Sequence, residues 1–336
     1  MNGTILFLIS LNKCYSYFMK YLITGAAGFI GINFLEYMIE NHKNDVFVVI
    51  DKLTYAANVQ HLNELITNYK NIIFYKEDII KTKNIEKIFD KEKPDIVINF
   101  AAETHVDKSI YQPKTFVKTN VLGTEVLLET SRKRNIKKYI QISTDEVYGS
   151  LDRNTFKRKK EFSVNDALNP TNPYSATKAS ADLLTLSYYK TYNLPINIIR
   201  MTNNFGPYQN KEKLIPKTII NASYLRIIPL YSDGSNLRDW LYVKDSVKTI
   251  DLIIDKGEIG KIYHISTHNL LTNYNLVKLI LKKLHIKNNL IKYVPDRPAH
   301  DFAYSLNTKE TEQLGTIKAT EFNEAIDETI DFYKKK

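Results

Sequence analysis

Only one of the 336 residues is a cysteine, Cys14. A single thiol closes no internal disulfide and cannot build a Cys-rich zinc site, which fits a reducing cytoplasm. No apolar run reaches the roughly 18–20 residues needed to cross a bilayer, so no membrane partner is expected. Arginine is scarce: the formal net charge is +10, yet lysine outnumbers arginine 39 to 8. Nucleic-acid readers lean on the planar fork of arginine, so this excess reads as solvated surface that favours anionic substrates, with no nucleic-acid partner. Internal repeats and low-complexity tracts are also missing. What is present is an ordinary globular balance of 43% apolar and 25% charged residues, enough chain for one large domain or two ordinary ones.

Residues 5–9 are apolar but follow no Lys or Arg, a poor match to a secretory signal. Met19 opens a strand that runs directly into a glycine-rich turn, so residues 1–18 are expected to be a start-site extension. From residue 21 onward short apolar runs alternate with amphipathic stretches, the signature of βαβ units. Strands are expected over 21–24, 46–51, 71–78, 95–102, 138–144 and 196–202, and helices over 29–42, 57–70, 82–92, 114–134 and 174–192. The expected fold is α/β: a Rossmann-like, doubly wound parallel sheet spanning 19–200. Prolines at 207, 216, 229, 295 and 298 punctuate shorter elements beyond it, so 201–336 reads as a smaller C-terminal substrate-binding lobe, either sequential to the first or interleaved with it.

Gly25, Gly28 and Gly31 lie between the first strand and the first helix. Glycines there permit a tight turn and let backbone N–H groups approach a pyrophosphate at the helix N-terminus. Asp51 follows 20 residues after Gly31 at the end of the second strand, where an acid can bind ribose hydroxyls and repel a 2′-phosphate. The combination points to NAD rather than NADP. Tyr174 and Lys178 sit four apart at the start of a helix, so phenol and ammonium share one face. A lysine charge there is expected to lower the phenol pKa and make it a base. About 30 residues earlier, Thr144, Asp145 and Glu146 leave the C-terminal end of a strand, where open α/β sheets place their active sites. His105 and His300 have no partners at ligand spacing, so no metal site is expected.

These motifs, with AAETHVDKSI (101–110), TNVLGTEVLLE (119–129), NNFGPYQ (203–209), RDW (238–240) and DRPAHD (296–301), resemble the extended short-chain dehydrogenase/reductases. Within that group the chain is most similar to the nucleotide-sugar 4,6-dehydratases, those acting on dTDP-glucose first. The resemblance implies an NAD-dependent lyase that makes a 4-keto-6-deoxy sugar nucleotide; UDP- or CDP-glucose is the alternative substrate, and a 4-epimerase the more distant one. It assigns Tyr174, with Lys178, to the 4-hydroxyl proton and Thr144 to holding that oxygen. Glu146 would take and return the C5 proton, and Asp145 would protonate the departing C6 hydroxyl. Further NAD contacts would come from Phe29, Ile30, Lys52, Leu53, Thr54 and Asp78, and from Ile79, Ala101, Ala102, Thr119 and Asn204. Substrate contacts would come from Thr104, Asn203, Lys213, Leu214, Pro229 and Leu230, and from Tyr231, Arg238, Asn273, Asp296, Arg297 and His300. Arg238 is the expected pyrophosphate clamp. A homodimer through helices 114–134 and 174–192 is also implied. The chain departs from the family's usual pattern at Phe205 (usually Tyr), Ser232 and Ala299 (usually Gly) and Ala303 (usually Arg).

Overall fold

The computed structural model describes residues 18–157 and 160–334. Cys14 and nearly all of the expected start-site extension lie outside the described residues, as do two residues of the basic run 153–160. Twelve strands are described: β1 (Lys20–Thr24), β2 (Val46–Asp51), β3 (Ile72–Lys76), β4 (Ile96–Asn99), β5 (Lys138–Thr144), β6 (Ile196–Met201), β7 (Asn203–Phe205), β8 (Ile228–Tyr231), β9 (Leu237–Tyr242), β10 (Ile262–Ile265), β11 (Leu270–Thr272) and β12 (Ile291–Val294). The helices are α1 (Phe29–Asn41), α2 (Val59–Asn68), α3 (Thr82–Glu92), α4 (Val106–Tyr111), α5 (Pro113–Phe116), α6 (Gly123–Lys133), α7 (Arg153–Lys157), α8 (Pro173–Tyr192), α9 (Leu214–Ser223), α10 (Val243–Lys256), α11 (Asn273–Lys283), α12 (Lys309–Glu312) and α13 (Phe322–Lys334).

Seven strands form one parallel sheet in the order β10-β6-β5-β4-β1-β2-β3. Strands covered on both faces read as near-continuous apolar runs, which is why VFVVID and KYIQIST were legible as strands. One face packs Ile23, Phe47 and Val49 against Phe34 and Leu35 of α1 and Ile250 and Ile253 of α10. The other packs Leu22, Val48 and Ile50 against Ile85 and Phe89 of α3 and Val126 and Leu127 of α6. β10 and α10, both from beyond residue 200, therefore belong to the large sheet and its covering layer. Two small sheets, β11-β9-β7 and β12-β8, complete the smaller lobe.

The order reverses between β1 and β4, and a doubly wound sheet opens its ligand crevice at that switch point. Gly25 (φ +69°) turns the chain there so tightly that a Cβ on it would lie 2.6 Å from the Ala101 backbone nitrogen. β4 stops at Asn99, short of the expected 102. Past it the Phe100 N–H bonds the Thr24 carbonyl and the backbone peels away from the ladder to line the crevice.

The helix expected over 114–134 is interrupted. α5 and α6 are joined by a π-helical turn, Val117–Leu122. The wider turn accommodates inward-facing polar groups: Asn120 accepts from the Glu103 N–H (2.8 Å) and donates to Thr177 (3.0 Å). Gly123 lies against Ile79, where a Cβ would meet the Ile79 Cδ1 at 2.4 Å. Such turns accompany functional sites, and this one puts Thr119 on the crevice.

Two departures from the family pattern now have a physical meaning. Ser232 (φ +50°) and Ala299 (φ +51°) both occupy the left-handed region that glycine tolerates and other residues resist. Phe205, by contrast, is fully buried against Tyr242 and Phe322, where a hydroxyl is not needed. Relief of the left-handed strain, less the extra freedom glycine gains when unfolded, should make Ser232→Gly and Ala299→Gly each about 0.5–1 kcal/mol more stable. Urea midpoints that fall instead of rising would contradict this.

Candidate active site

The crevice is bounded by the glycine turn and the start of α1 on one side and by the ends of β4, β5 and β6 on the other. α1 begins at Gly28 without a side-chain cap, so its first N–H groups and dipole face the cavity, a ready anion seat. Asp51 lines the same cavity but is also a brace. Its two carboxylate oxygens accept from the Ala27 N–H (3.0 Å) and the Leu53 N–H (2.8 Å), and burial raises its pKa. Of the residues expected to hold a dinucleotide, Gly25, Gly28, Phe29, Ile30, Gly31, Lys52, Thr54, Asp78, Ile79, Ala101, Ala102, Thr119 and Asn204 line this cavity; Leu53 does not. Lys52 bridges Glu103 (3.1 Å) and Thr119 (3.2 Å), tying the second strand to the π-helical turn.

Deeper in, α8 presents Tyr174 and Lys178. Pro173 at its first position and a reciprocal Asn172–Ser175 capping box fix where the helix starts. Tyr174 is in hydrogen-bonding contact with Thr144. Thr144 closes β5 and caps the 3₁₀ turn Asp145–Tyr148, its hydroxyl accepting from the Glu146 N–H (3.3 Å) and donating to Asp145 Oδ1 (3.0 Å). Asp145 lies just under the cavity lining, 1% exposed; Glu146 lies on it. Each carboxyl keeps one buried oxygen with no hydrogen-bond partner, Oδ2 on Asp145 and Oε2 on Glu146.

The electrostatics separate the two acids. Burial, then the neighbouring Glu146, pushes Asp145 far above the ordinary carboxylate range. Burial also raises Glu146, but Arg297, Arg238 and Lys213 all pull it back down. The pair therefore loses its first proton from Glu146 and keeps Asp145 neutral.

Tyr174 and Lys178 both line the cavity from the first turns of α8. Lys178 donates to the Ile142 carbonyl (2.6 Å), and burial holds it at about 8. Tyr174 is pushed up by burial and then by Glu146 and Asp145.

Thr104, Asn203 and Lys213 line the cavity, and Asn203 Oδ1 is buried there without a partner. The remaining expected substrate residues, Thr144 apart, do not line it. Tyr231 (3.0 Å) and Arg297 (3.1 Å) both bond Asp107, and His300 pairs with Asp296 (2.6 Å). Arg238 is largely committed, donating to the carbonyls of Leu237, Asp301 and Phe302. Arg297 instead keeps a buried, unpartnered Nε, a feature its place in DRPAHD did not reveal. Leu230 packs into the small lobe's core with Val277 and Leu281, Leu214 packs at its edge, and Asn273 begins α11. Pro229 opens onto a separate surface pocket beside Lys211 and Lys217. Among the described residues no group of three or more His, Cys, Asp and Glu side chains is gathered to hold a metal.

A switch-point crevice carrying a Tyr-x-x-x-Lys helix defines the class of extended short-chain dehydrogenase/reductases. Within it the chain belongs to the GDP-mannose 4,6 dehydratase family, whose sequence profile matches residues 22–329. The dTDP-glucose 4,6-dehydratase of Haemophilus influenzae is 40% identical, with 94% of this chain and 98% of the relative covered. The solved dTDP-glucose 4,6-dehydratase of Streptomyces venezuelae, which holds NAD and dTDP, superposes with a TM-score of 0.89 at 35% identity, covering 94% of this chain and 97% of that one. A UDP-glucose 4-epimerase from Thermotoga maritima superposes at 0.86 but is only 27% identical, covering 94% and 99%.

Asp145→Asn tests the buried acid. Below the unfolded aspartate pKa of about 3.9 the native carboxyl is neutral in both folded and unfolded chains, so the variant gains nothing. As pH rises above it, the unfolded chain releases a proton that the folded chain retains, and the wild type loses relative stability. Melting temperatures should therefore favour Asp145→Asn at pH 7 and converge near pH 3; a variant less stable at pH 7 would contradict the assignment.

Proposed function

We propose that the protein converts dTDP-glucose to dTDP-4-keto-6-deoxyglucose and water as an NAD-dependent lyase. The observation that carries this reading is the adjacent pair of carboxyls, Asp145 buried and kept neutral, Glu146 half-buried and ionisable, beside a buried tyrosine at the switch point. An acid that donates a proton and a base that removes one are what elimination of water requires. An epimerase has no need of the neutral acid. The full-length identity with the Haemophilus enzyme supports the same substrate.

The cofactor fits the chain's own features: an uncapped helix end facing the cavity, a tight glycine turn and an acid at the second strand. NAD, when bound, supplies a reversible hydride acceptor and a positively charged ring, so the net reaction is loss of water without net redox change. Tyr174 takes the proton of the sugar 4-hydroxyl while Thr144 orients that oxygen. The ketone so formed acidifies the C5 hydrogen, which Glu146 removes and later returns. Asp145, kept neutral by burial, gives its proton to the departing C6 hydroxyl. Lys178 braces β5 against α8 and supplies a cation beside the site. Arg297, with Lys213 and the spare donors of Arg238, would hold the diphosphate; the free Nε of Arg297 makes it the principal clamp.

Two wider statements belong to the same reading. Val117 and Leu122 of the π-helical turn and Leu183 and Tyr192 of α8 are large apolar groups left between 47% and 57% exposed. A second copy of the chain would cover them in a homodimer. Among the described residues no helix is long and apolar enough to cross a membrane. A cytoplasmic location accords with a nucleotide-sugar substrate and a single cysteine.

Mass spectrometry of dTDP-glucose incubated with purified protein and NAD should show a product lighter by one water, about 18 Da, with no net reduction of NAD. Unchanged mass, or conversion of UDP- or CDP-glucose in preference, would contradict the assignment. Sedimentation should give a dimer for the wild type and a monomer for Leu183→Glu. A monomeric wild type would remove the basis for the dimer.

A further inference from the structure

Beneath the catalytic residues runs a polar chain that the reaction does not use directly. Arg200, on β6, is 2% exposed among the buried Ile198, Ile199 and Met201. Its Nε donates to Asp182 Oδ2 (2.8 Å) and its NH1 to the Tyr148 hydroxyl (2.5 Å). A hydroxyl that accepts from arginine has its own proton free for His264 Nε2, 2.7 Å away. That fixes His264 with its proton on Nδ1, where it donates to the Asn307 carbonyl (2.8 Å). His264 is neutral, held at about 4 by burial.

The two partners of Arg200 lie on the two segments that carry the chemistry. Tyr148 ends the 3₁₀ turn that starts at Asp145 and includes Glu146. Asp182 follows Tyr174 and Lys178 at the same four-residue spacing, and so lies on the same face of α8. In the sheet Arg200 pairs with Ser143, the residue before Thr144, and with His264 of β10. Resting on the dehydratase reading above, we propose that Arg200 is a positioning residue. By bonding Tyr148 and Asp182 together it sets the separation between the turn bearing Thr144, Asp145 and Glu146 and the helix bearing Tyr174 and Lys178.

A buried ion pair is a poor source of stability, since apolar residues of similar volume commonly serve as well. What it provides here is direction. The planar guanidinium fork admits only a narrow range of Tyr148–Asp182 geometries, whereas the apolar contacts around it would tolerate sliding. The separate proton transfers assigned to Tyr174, Glu146 and Asp145 each need their group in place, and a misplacement of about 1 Å can cost about a hundredfold in rate.

Two variants test the proposal, beside a wild-type control on dTDP-glucose. Tyr148→Phe removes one hydroxyl while keeping the ring stacked on Phe162. It should remain folded by circular dichroism, keep the wild-type KM, and lose kcat by about tenfold or more. Asp182→Asn keeps the side chain's shape but weakens the bond from Arg200, and should likewise keep the wild-type KM and lower kcat. Tyr148→Phe with wild-type kcat would overturn the positioning role even if Asp182→Asn failed to fold. So would a loss of kcat that matched a loss of folded protein. A wild type that releases no water would overturn the reaction itself, a result separable from either variant's.

Discussion

The structure turns on one electrostatic constraint: two adjacent carboxyls at the end of β5 lose most of their water, Asp145 buried and Glu146 half-buried on the cavity wall. Neither can be buried as a charge without support, and two charges so close raise each other's cost. The surroundings are uneven. Three cations, Arg297, Arg238 and Lys213, lower Glu146, while among the main influences on Asp145 the Thr144 hydroxyl and Arg238 favour its ionised form and burial with Glu146 outweighs them. The asymmetry yields an acid and a base from neighbouring residues of similar chemistry, and elimination of water needs one of each.

The fold supplies this by ordinary means. A doubly wound sheet leaves a crevice where its strand order reverses, and the glycine turn, β4, β5 and β6 all end there. The 3₁₀ turn after β5 swings Asp145 inward and Glu146 to the cavity, while the capped start of α8 sets Tyr174 against Thr144. The smaller lobe closes over the top, with Arg238 and Arg297 brought near the carboxyls from segments almost a hundred residues or more away in sequence. Unrelieved oxygens on Asp145, Glu146 and Asn203 mark the interior as a place built for a polar guest rather than for stability.

Much of this was legible in the sequence, and the reasons are local. The strands of the large sheet from its first half declare themselves because both faces are covered and the runs are apolar throughout. The Tyr174–Lys178 spacing and the capping residues before it are helix geometry that needs no tertiary information. What escaped was long-range or conformational. Nothing in residues 262–265 announces that they will pair with β6, since strand pairing across 60 residues leaves no local trace. The π-helical turn looked like uninterrupted helix because its cause, the reach of Asn120 to Glu103 and Thr177, is tertiary. Arg238 was the expected diphosphate clamp and Arg297 one of several candidates; the carbonyls that engage Arg238 and the unpartnered Nε of Arg297, on which the proposal for Arg297 rests, are tertiary features without a local trace. The bond from Lys178 to the Ile142 carbonyl is likewise a long-range contact that the spacing along α8 does not announce.

The most direct test of the account is the protonation state of Asp145. Carbon-13 NMR of protein labelled at aspartate carboxyls, compared with Asp145→Asn to assign the resonance, reads it directly. At pH 7 the account predicts one aspartate signal at the position of a neutral carboxylic acid, absent from the variant. A spectrum in which every aspartate, Asp145 included, is ionised at pH 7 would contradict the division of the pair into acid and base.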